Sequence, residues 1–231
     1  MNTNINILHI ETATKVCSCA LSSDNKLLFN KVSYTEQSHA KLLGSFTEEA
    51  IHFARLNNIQ INAISVSSGP GSYTGLRIGV SEAKGLAYGL SIKLIATPTL
   101  KLLASMVAEK VESDTLLCPM IDARRMEVYT SIYDKSLNTI EATSAKIIED
   151  ESFLNLLSNH KIAFFGDGAF KCKDIITHPN AIFIPDIHPL ASGMIDLSLS
   201  AFKANNFEDI AYFEPFYLKD FVATKPKNKV F

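Results

Sequence analysis

The chain lacks several features that mark common functional classes. Its four cysteines, Cys17, Cys19, Cys118 and Cys172, form no Cys-x-x-Cys pair, so we interpret them as buried thiols of a reducing compartment and expect no structural zinc. No stretch approaches the roughly 18 apolar residues of a membrane span. Residues 1–15 contain no basic segment followed by an apolar block. We therefore expect a cytoplasmic protein that makes no membrane contact.

An excess of charge is also absent. The 231 residues carry 22 Lys and Arg against 24 Asp and Glu, a formal net charge of -2. This balance argues against tight unaided binding to nucleic acid and leaves room only for a local basic patch. The C-terminal lysines Lys219, Lys225, Lys227 and Lys229 are interpreted as a solvated end. A hydrophobic content of 47% is enough for one large domain or two smaller lobes.

Motifs for metal, phosphate and nucleophile chemistry are missing too. None of the six histidines lies four residues from another, so no helix pairs two imidazoles on one metal. No Gly-Lys-Ser/Thr follows the Gly69-Pro70-Gly71 turn, which excludes a P-loop. Ser72 lies beside glycine, but the Gly-x-Ser-x-Gly elbow of a serine hydrolase is absent. Autonomous catalysis is therefore not favoured.

The order of predicted elements favours an α/β protein. Alternating and short apolar runs predict strands, and apolar spacing of three and four predicts helices. Strands are predicted at 5–11, 16–22, 26–34, 64–68, 92–96, 115–122, 127–133, 143–148, 161–165 and 181–184; helices are predicted at 38–57, 74–90, 98–109, 150–159 and 190–205. Ser38 and Thr97 are the predicted N-caps of the first and third helices. Strands precede helices in both halves, which favours a mixed sheet in each lobe and an internal duplication.

The helix predicted at 74–90 carries an unusual arc of small residues. At about 100° per residue, Gly75, Gly79, Ala83, Leu86 and Leu90 share one face. Glycine inside a helix costs roughly 1 kcal/mol relative to alanine, so close approach of another backbone must compensate. The approaching element is either the chain's own sheet or a partner helix, and both interpretations stay open. If a partner helix is correct, Gly79→Leu weakens association and leaves the fold intact.

The Gly-Pro-Gly turn has two interpretations as well. A strand, a glycine-bounded turn and a helix N-terminus together form a common anion-binding geometry. Alternatively, Gly69 and Gly71 only permit a tight strand-to-helix turn, and Pro70 removes one donor. The second interpretation is favoured. The helix at 38–57 shows a broad apolar face, so we expect it to contact both the sheet and the glycine-lined helix. Its face comprises Leu42, Leu43, Phe46, Ala50, Phe53 and Ala54, widened by Ala40 and Ile51.

Several motifs, in order along most of the chain, resemble one family. They are Glu11-Thr12-Ala13-Thr14, the Gly-Pro-Gly run from Ser68 to Gly79, residues 83–87, 97–100 and 121–129, Gly166-Asp167-Gly168-Ala169, and residues 215–219. The chain resembles the TsaB (YeaZ) family, a subunit of the bacterial machinery that makes N6-threonylcarbamoyladenosine on tRNA. Two departures keep their charge: Glu11 stands where the family usually has Asp, and Lys219 where Arg is common.

The resemblance implies an actin-like, ribonuclease H-like fold of two duplicated lobes, each a mixed sheet with helices. It implies an N-terminal lobe at 1–110 carrying the partner-binding helices, a C-terminal lobe at 111–206, and a tail at 207–231 that packs back or is partly disordered. The catalytic paralogue of the family, TsaD, carries an HxxxH metal motif. The comparable stretch here, 95–106, contains no histidine.

The resemblance further implies a non-catalytic scaffold with no cofactor of its own. It would bind TsaD through its first-lobe helices, and the ATPase subunit TsaE would join at that junction. ATP and metal are expected in those partners, and the assembly would transfer threonylcarbamoyl to adenosine 37 of tRNAs that read ANN codons. A homodimer is the expected alternative when the paralogue is absent. A stand-alone phosphotransferase and a peptidase-like protein are the rival functions.

Specific residues follow from these interpretations. The predicted partner-binding residues are Leu42, Phe46, Phe53, Gly75, Arg77, Gly79, Ala83 and Lys84. The residues predicted to lie near an anion or nucleotide are Glu11, Thr12, Gly69, Gly71 and Ser72. Candidates for contact with tRNA are Arg77, Lys84, Arg124 and Arg125.

Overall fold

Two five-stranded mixed sheets form the framework of the fold. The structure is a computed structural model, and it describes residues 4–35 and 39–219. The first sheet has the order β3-β2-β1-β4-β5. Its strands are β1 Asn6–Glu11, β2 Cys17–Ser23, β3 Lys26–Ser33, β4 Ala63–Gly69 and β5 Lys93–Pro98. The first three form the predicted antiparallel meander, and the last two add in parallel to β1.

The second sheet repeats this connectivity. Its order is β10-β9-β6-β7-β8, which is the order of the first sheet read from the opposite edge. Its strands are β6 Leu116–Asp122, β7 Glu127–Tyr133, β8 Thr139–Ile147, β9 Ile162–Phe165 and β10 Ala181–Ile184. The antiparallel and parallel pairings match those of the first sheet strand for strand. The predicted two-lobed, duplicated α/β topology is therefore confirmed.

Helices cover the two sheets unequally. They are α1 His39–Leu56, α2 Tyr73–Leu90, α3 Thr99–Ala108, α4 Leu154–Leu157 and α5 Ile195–Lys203. The first two bury the outer face of the first sheet under a core that includes Leu43, Val80 and Ala83. As expected from its broad apolar face, α1 packs against both the sheet and α2.

The helix that follows each sheet packs largely on the other one. Leu100, Leu103 and Val107 of α3 join a core with Leu117 and Phe165 of the second sheet. Helix α5 instead packs on β5 and β1 of the first sheet. Its Ser198 hydroxyl lies 2.8 Å from the buried hydroxyl of Ser65 on β4, so a polar contact also crosses this layer. The exchanged helices couple the two lobes because they bury apolar surface between them. Burial of apolar surface is the main driving force of folding.

Several predicted helix boundaries are wrong. Thr97 is not the N-cap of α3, because β5 continues through Pro98 and the Thr97 hydroxyl lies 2.9 Å from that of Ser65 instead. The helix predicted at 150–159 shrinks to α4, since Phe153 adopts a left-handed backbone with φ 66° that interrupts it. Strand β8 begins at Thr139, earlier than predicted.

The last predicted helix is divided into two parts. Residues Ala191–Met194 form a 3-10 turn, and the α-helix begins only at Ile195. A second 3-10 turn, Phe170–Cys172, follows β9 and was not predicted. None of the helices within 4–35 and 39–219 is long and apolar enough to cross a membrane.

The C-terminal segment at 207–219 crosses the first lobe toward the second. Glu208 N donates to Leu94 O at 2.9 Å, and Phe216 N donates to Ser68 O at 2.7 Å. At its end, Lys219 Nζ donates to Glu127 of β7. The cap predicted at Ser38 and the lysines after Lys219 lie outside the described residues. The lobe boundaries at 110 and 206 stay a prediction.

Candidate functional site

The glycine arc of α2 packs against the chain's own β1–β2 turn. A Cβ added at Gly75 would lie 2.1 Å from Thr12 O, and one added at Gly79 would lie 2.2 Å from Thr12 Oγ1. The Thr12 hydroxyl donates to Gly75 O at 2.8 Å, which fixes the turn on the helix. Close approach therefore explains the two glycines. The approaching element is internal, so the alternative of a partner helix is wrong at these positions.

Three of the predicted partner-binding residues lie inside the chain's own core. Gly75, Gly79 and Ala83 are buried by the chain itself and offer no surface to another protein. The expectation for Gly79→Leu changes accordingly. Any side chain there collides with Thr12, so the substitution acts on folding before it acts on association.

The Gly-Pro-Gly turn also uses its polar groups internally. Gly69 has φ 107°, and a Cβ there would lie 2.6 Å from Phe216 O. Ser72 N donates to Ala13 O at 2.7 Å, and a Cβ at Gly71 would lie 2.3 Å from that same oxygen. The Ser72 hydroxyl caps α2 by accepting from Gly75 N at 3.2 Å. Two N–H groups that an anion would need are thus already bonded, which favours the structural interpretation of the turn.

Glu11 is completely enclosed at the end of β1. Its Oε1 accepts from Ala13 N at 2.5 Å, and its Oε2 has no partner within the described part of the chain. Burial raises the pKa of this carboxyl to about 7. On the same strand, burial lowers the pKa of His9 to about 3, and His9 Nε2 lies 2.9 Å from Ser22 Oγ. A carboxyl that is only partly ionised near neutral pH and is shielded from solvent is poorly suited to hold a magnesium ion on a nucleotide phosphate.

Carboxylates and lysines meet where β6 and β9 end in the second lobe. Asp167 Oδ1 accepts from Asp122 N at 3.0 Å, and burial raises the pKa of Asp167. Lys171 donates to the Asp122 carboxylate, and its Nζ also donates to Glu127 O at 2.7 Å. Gly166 has φ 101°, and a Cβ there would lie 2.3 Å from Met120 O. The Gly-Asp-Gly segment is thus a tight strand-ending turn. In the ranges 4–35 and 39–219, no group of three or more His, Cys, Asp or Glu side chains is placed to hold a metal ion.

An open groove lies between α1 and α2. The Thr47 hydroxyl donates to Glu82 Oε1 at 2.7 Å across the two helices. Gly44 lines this groove, and nothing lies within 4 Å of a Cβ added there; the same holds for Gly85 of α2, which precedes the groove residue Leu86 but is not itself part of the lining. The residues lining the groove are Gly44, Thr47, Glu48, Glu49, Ile51, His52, Arg55, Glu82 and Leu86. We call this surface the helix-pair groove.

The remaining predicted partner residues divide between core and surface. Phe46 and Phe53 pack on the first core, and the Phe53 ring lies 5.8 Å from that of Phe29 on β3. Leu42 is half-buried. Arg77 is exposed and lies over the Tyr73 ring at 4.5 Å from its centroid.

Lys84 has an internal role as well. Its ammonium donates to Ala211 O at 3.2 Å and to Phe213 O at 2.9 Å, which holds the C-terminal segment on α2. Sequence reasoning missed the groove residues Thr47, Glu82 and Gly44. The available signal was Gly44 itself, a glycine inside the predicted helix at 38–57, where the chain supplies no contact for an added Cβ.

Comparison with known proteins identifies the class first. The fold is that of solved two-lobed α/β proteins: YeaZ from Pseudomonas aeruginosa superposes with a TM-score of 0.79 at 22% identity, covering 93% of this chain and all of that one. A second structure, described as an uncharacterized protein with similarity to peptidase YeaZ from Pseudomonas aeruginosa, gives 0.80 with the same coverage. The chain therefore has the fold of these proteins, a duplicated two-lobed α/β topology of the actin-like, ribonuclease H-like kind.

The family follows from the sequence comparisons. The family model described as TsaD: tRNA N6-adenosine threonylcarbamoyltransferase matches residues 32–227. The chain is 26% identical over 232 residues to the tRNA threonylcarbamoyladenosine biosynthesis protein TsaB of Haemophilus influenzae, covering 96% of this chain and 97% of that protein. It is 28% identical to TsaB of Escherichia coli, with coverages of 95% and 96%. The chain belongs to the TsaB (YeaZ) branch of this threonylcarbamoyltransferase family.

Proposed function

We propose that this chain is the non-catalytic scaffold subunit of an assembly that forms N6-threonylcarbamoyladenosine at position 37 of tRNAs reading ANN codons. Its relatives of nearly equal length carry the name of that biosynthetic pathway. The matching family model describes the transferase itself, so a partner of the same fold is the natural one. The scaffold would bind and stabilise TsaD, with the ATPase TsaE joining the pair. ATP and metal would belong to those partners.

The observation that carries this proposal is the open helix-pair groove. Next to the groove residue Leu86 on α2, but outside the groove lining, Gly85 and Gly89 are exposed and have nothing within 4 Å of an added Cβ. Each costs roughly 1 kcal/mol of helix stability relative to alanine without an internal contact that compensates. Gly44 of α1 likewise has nothing within 4 Å of an added Cβ. Small residues on two adjacent helices permit close approach of further helices, and a four-helix contact with the equivalent pair of TsaD uses that surface.

The groove has the composition of an interface that is exposed to solvent when the subunits are apart. Half-buried Ile51 and Leu86 supply apolar surface, while Glu48, Glu82 and Arg55 supply charge around it. Apolar centres with a charged rim are typical of complexes whose subunits also exist apart. The same surface would support self-association when the paralogue is absent, which is why a homodimer is the expected alternative.

The two rival functions have less support. A stand-alone phosphotransferase requires an ionised carboxylate near the phosphates, and Glu11 is buried with its pKa raised to about 7. A serine peptidase requires a base beside its nucleophile. The Ser72 hydroxyl instead accepts a backbone hydrogen bond as the cap of α2.

Gly85→Leu is expected to weaken association with TsaD from the same cell at least tenfold. The added side chain enters open space in the free chain, so folding is preserved, but it blocks close approach of a second helix. Calorimetric titration measures affinity and stoichiometry, and tRNA modification is assayed on the same mixtures. Lys203→Leu, at an exposed position of α5, serves as the matched control and is expected to bind normally.

Equal affinity of both variants would place the partner surface elsewhere. Turnover of Mg-ATP by this chain alone would instead favour the phosphotransferase. Circular dichroism and thermal unfolding of both variants exclude a trivial loss of fold.

A further inference from the structure

Cations lie around the turn between β6 and β7, and the neighbouring 3-10 turn, which Lys171 ties to it, carries an exposed aromatic ring, Phe170. Arg124 and Arg125 form the tip of this turn, and both are exposed. Neither guanidinium has a hydrogen-bond or ion-pair partner among residues 4–35 and 39–219. Both adopt left-handed backbone conformations, with φ 71° and 49°. Such conformations are unfavourable for residues other than Gly, Asn and Asp, so the surrounding structure must impose them.

Hydrogen bonds at the base of the β6–β7 turn hold its backbone in place. Arg124 N donates to Asp122 Oδ1 at 2.9 Å, and Ala123 N donates to Glu127 O at 3.1 Å. Lys171 bonds both the Asp122 carboxylate and Glu127 O, which ties the neighbouring 3-10 turn to the base of the hairpin. A rigid base fixes the backbone from which the two arginine side chains project, so binding a ligand there does not also have to order the turn.

The acids at the base of the turn do not neutralise the arginines at its tip. The acidic groups at the base of the turn, Asp122 and Glu127, are already paired with Lys171 and Lys219. Within the described part of the chain, the two arginines therefore remain unpaired cations at the tip of the turn, although exposed acids also lie around it: Asp174, and Glu149 to Glu151, which follow the hydrogen bond from Ile148 N to Met126 O. The guanidinium fork matches phosphate oxygens in geometry and binds them with two parallel hydrogen bonds.

Phe170 adds a different kind of contact. It begins the 3-10 turn beside Lys171, and 79% of its surface is exposed, an unusual position for a large apolar ring. Exposed aromatic rings beside cations are typical of surfaces that bind unpaired nucleotides. There the ring stacks on a base and the cations contact the backbone.

We propose that the β6–β7 turn and Phe170 form an RNA-contact surface, on which Arg124 and Arg125 bind phosphates and Phe170 stacks on an unpaired base. The proposal rests on the proposed function, which places a tRNA in the assembly. It assigns that contact to the second lobe, away from the helix-pair groove. A local patch of this kind is weak on a chain of net charge -2, so it acts only once the partner subunit brings the tRNA near.

The test measures binding of fluorescently labelled tRNA to the assembled complex with TsaD over a range of salt concentrations. Arg124→Asn with Arg125→Asn removes both charges but retains side chains that tolerate the left-handed conformation. This double variant is expected to weaken tRNA binding about tenfold or more and to reduce the slope of log affinity against log salt by about 1.5, as expected for two lost phosphate contacts. Phe170→Ala is expected to weaken binding about tenfold while leaving the slope unchanged, since stacking releases no counterions.

Two controls match these changes. Lys110→Gln with Lys203→Gln removes two exposed positive charges elsewhere, and Tyr212→Ala removes a ring that is 84% exposed. Both are expected to bind tRNA as the wild type does. If the wild-type complex binds tRNA and the arginine variant binds equally well with the same slope, the RNA-contact surface is wrong while the scaffold function stands. If the complex forms but no version binds or modifies tRNA, the proposed function fails, and this proposal fails with it.

Discussion

Gly75→Ala is expected to destabilise the folded chain by about 3 kcal/mol or more. The new Cβ would lie 2.1 Å from the backbone oxygen of Thr12, a separation that no side-chain rotation relieves. The β1–β2 turn would have to move away from α2. That movement would also break the hydrogen bond from Thr12 Oγ1 to Gly75 O and disturb the buried end of β1. Overpacking of this kind is among the few causes of large single-residue effects.

The same helix supplies the control. Gly85→Ala adds a Cβ where nothing lies within 4 Å, so it is expected to stabilise the chain by up to about 1 kcal/mol through helix propensity. Urea unfolding followed by circular dichroism measures both free energies. In a chain of this size the two variants should differ in melting temperature by roughly 10 °C. A similar stability for Gly75→Ala and Gly85→Ala would show that the β1–β2 turn does not rest on α2.

Glu11→Gln is expected to change how the free energy of unfolding depends on pH. The pKa of Glu11 is about 7 in the folded chain against an ordinary value of 4.5. Between these values the folded chain holds a proton that the unfolded chain has released. Stability therefore falls as pH rises through this window, by about 3 kcal/mol in total. Glutamine carries no titrating proton, so the variant gains about that much relative to wild type between pH 4.5 and pH 7.

His9 has the opposite effect on how the free energy of unfolding depends on pH. Its pKa is about 3 in the folded chain against 6.5 ordinarily, so the unfolded chain binds a proton first as pH falls, and stability is lost below pH 6.5. Between pH 4.5 and 6.5 the two groups nearly cancel, and wild-type stability should be almost flat. In Glu11→Gln the effect of His9 is no longer opposed, and stability should rise steadily with pH across that window.

Urea unfolding at pH 4.5, 5.5, 6.5 and 7.5 distinguishes these curves. Glu149→Gln, at an exposed glutamate, is the charge-matched control. Its free energy of unfolding, plotted against pH, is expected to run parallel to that of the wild type. If Glu11→Gln also runs parallel, Glu11 is ionised in the folded chain. Its burial would then have to be compensated by a partner of the unpaired Oε2.

Local patterns were sufficient to predict most strands. The boundaries of β7 and β10 agree with the prediction at both ends, because turn residues and apolar runs determine them within a few residues of sequence. The length of helix α4 was overestimated because a tertiary contact, not a local pattern, determines where it begins. Its apolar spacing continues through 150–159, but Phe153 turns inward and takes a left-handed backbone. Tertiary packing overrode helix propensity there.

The sequence by itself determined the class of fold, the order of its elements and the family, and it showed that the α2 glycines require a close neighbour. Periodicity reports which residues share a face, but it does not report what that face meets. Only the tertiary structure decided that Gly75 and Gly79 pack against Thr12 of the chain's own turn, while no atom lies within 4 Å of a Cβ added at Gly85. The same holds for Lys84, whose ammonium bonds carbonyls more than a hundred residues away. Contacts at such separation depend on how whole lobes assemble, and no local pattern encodes them.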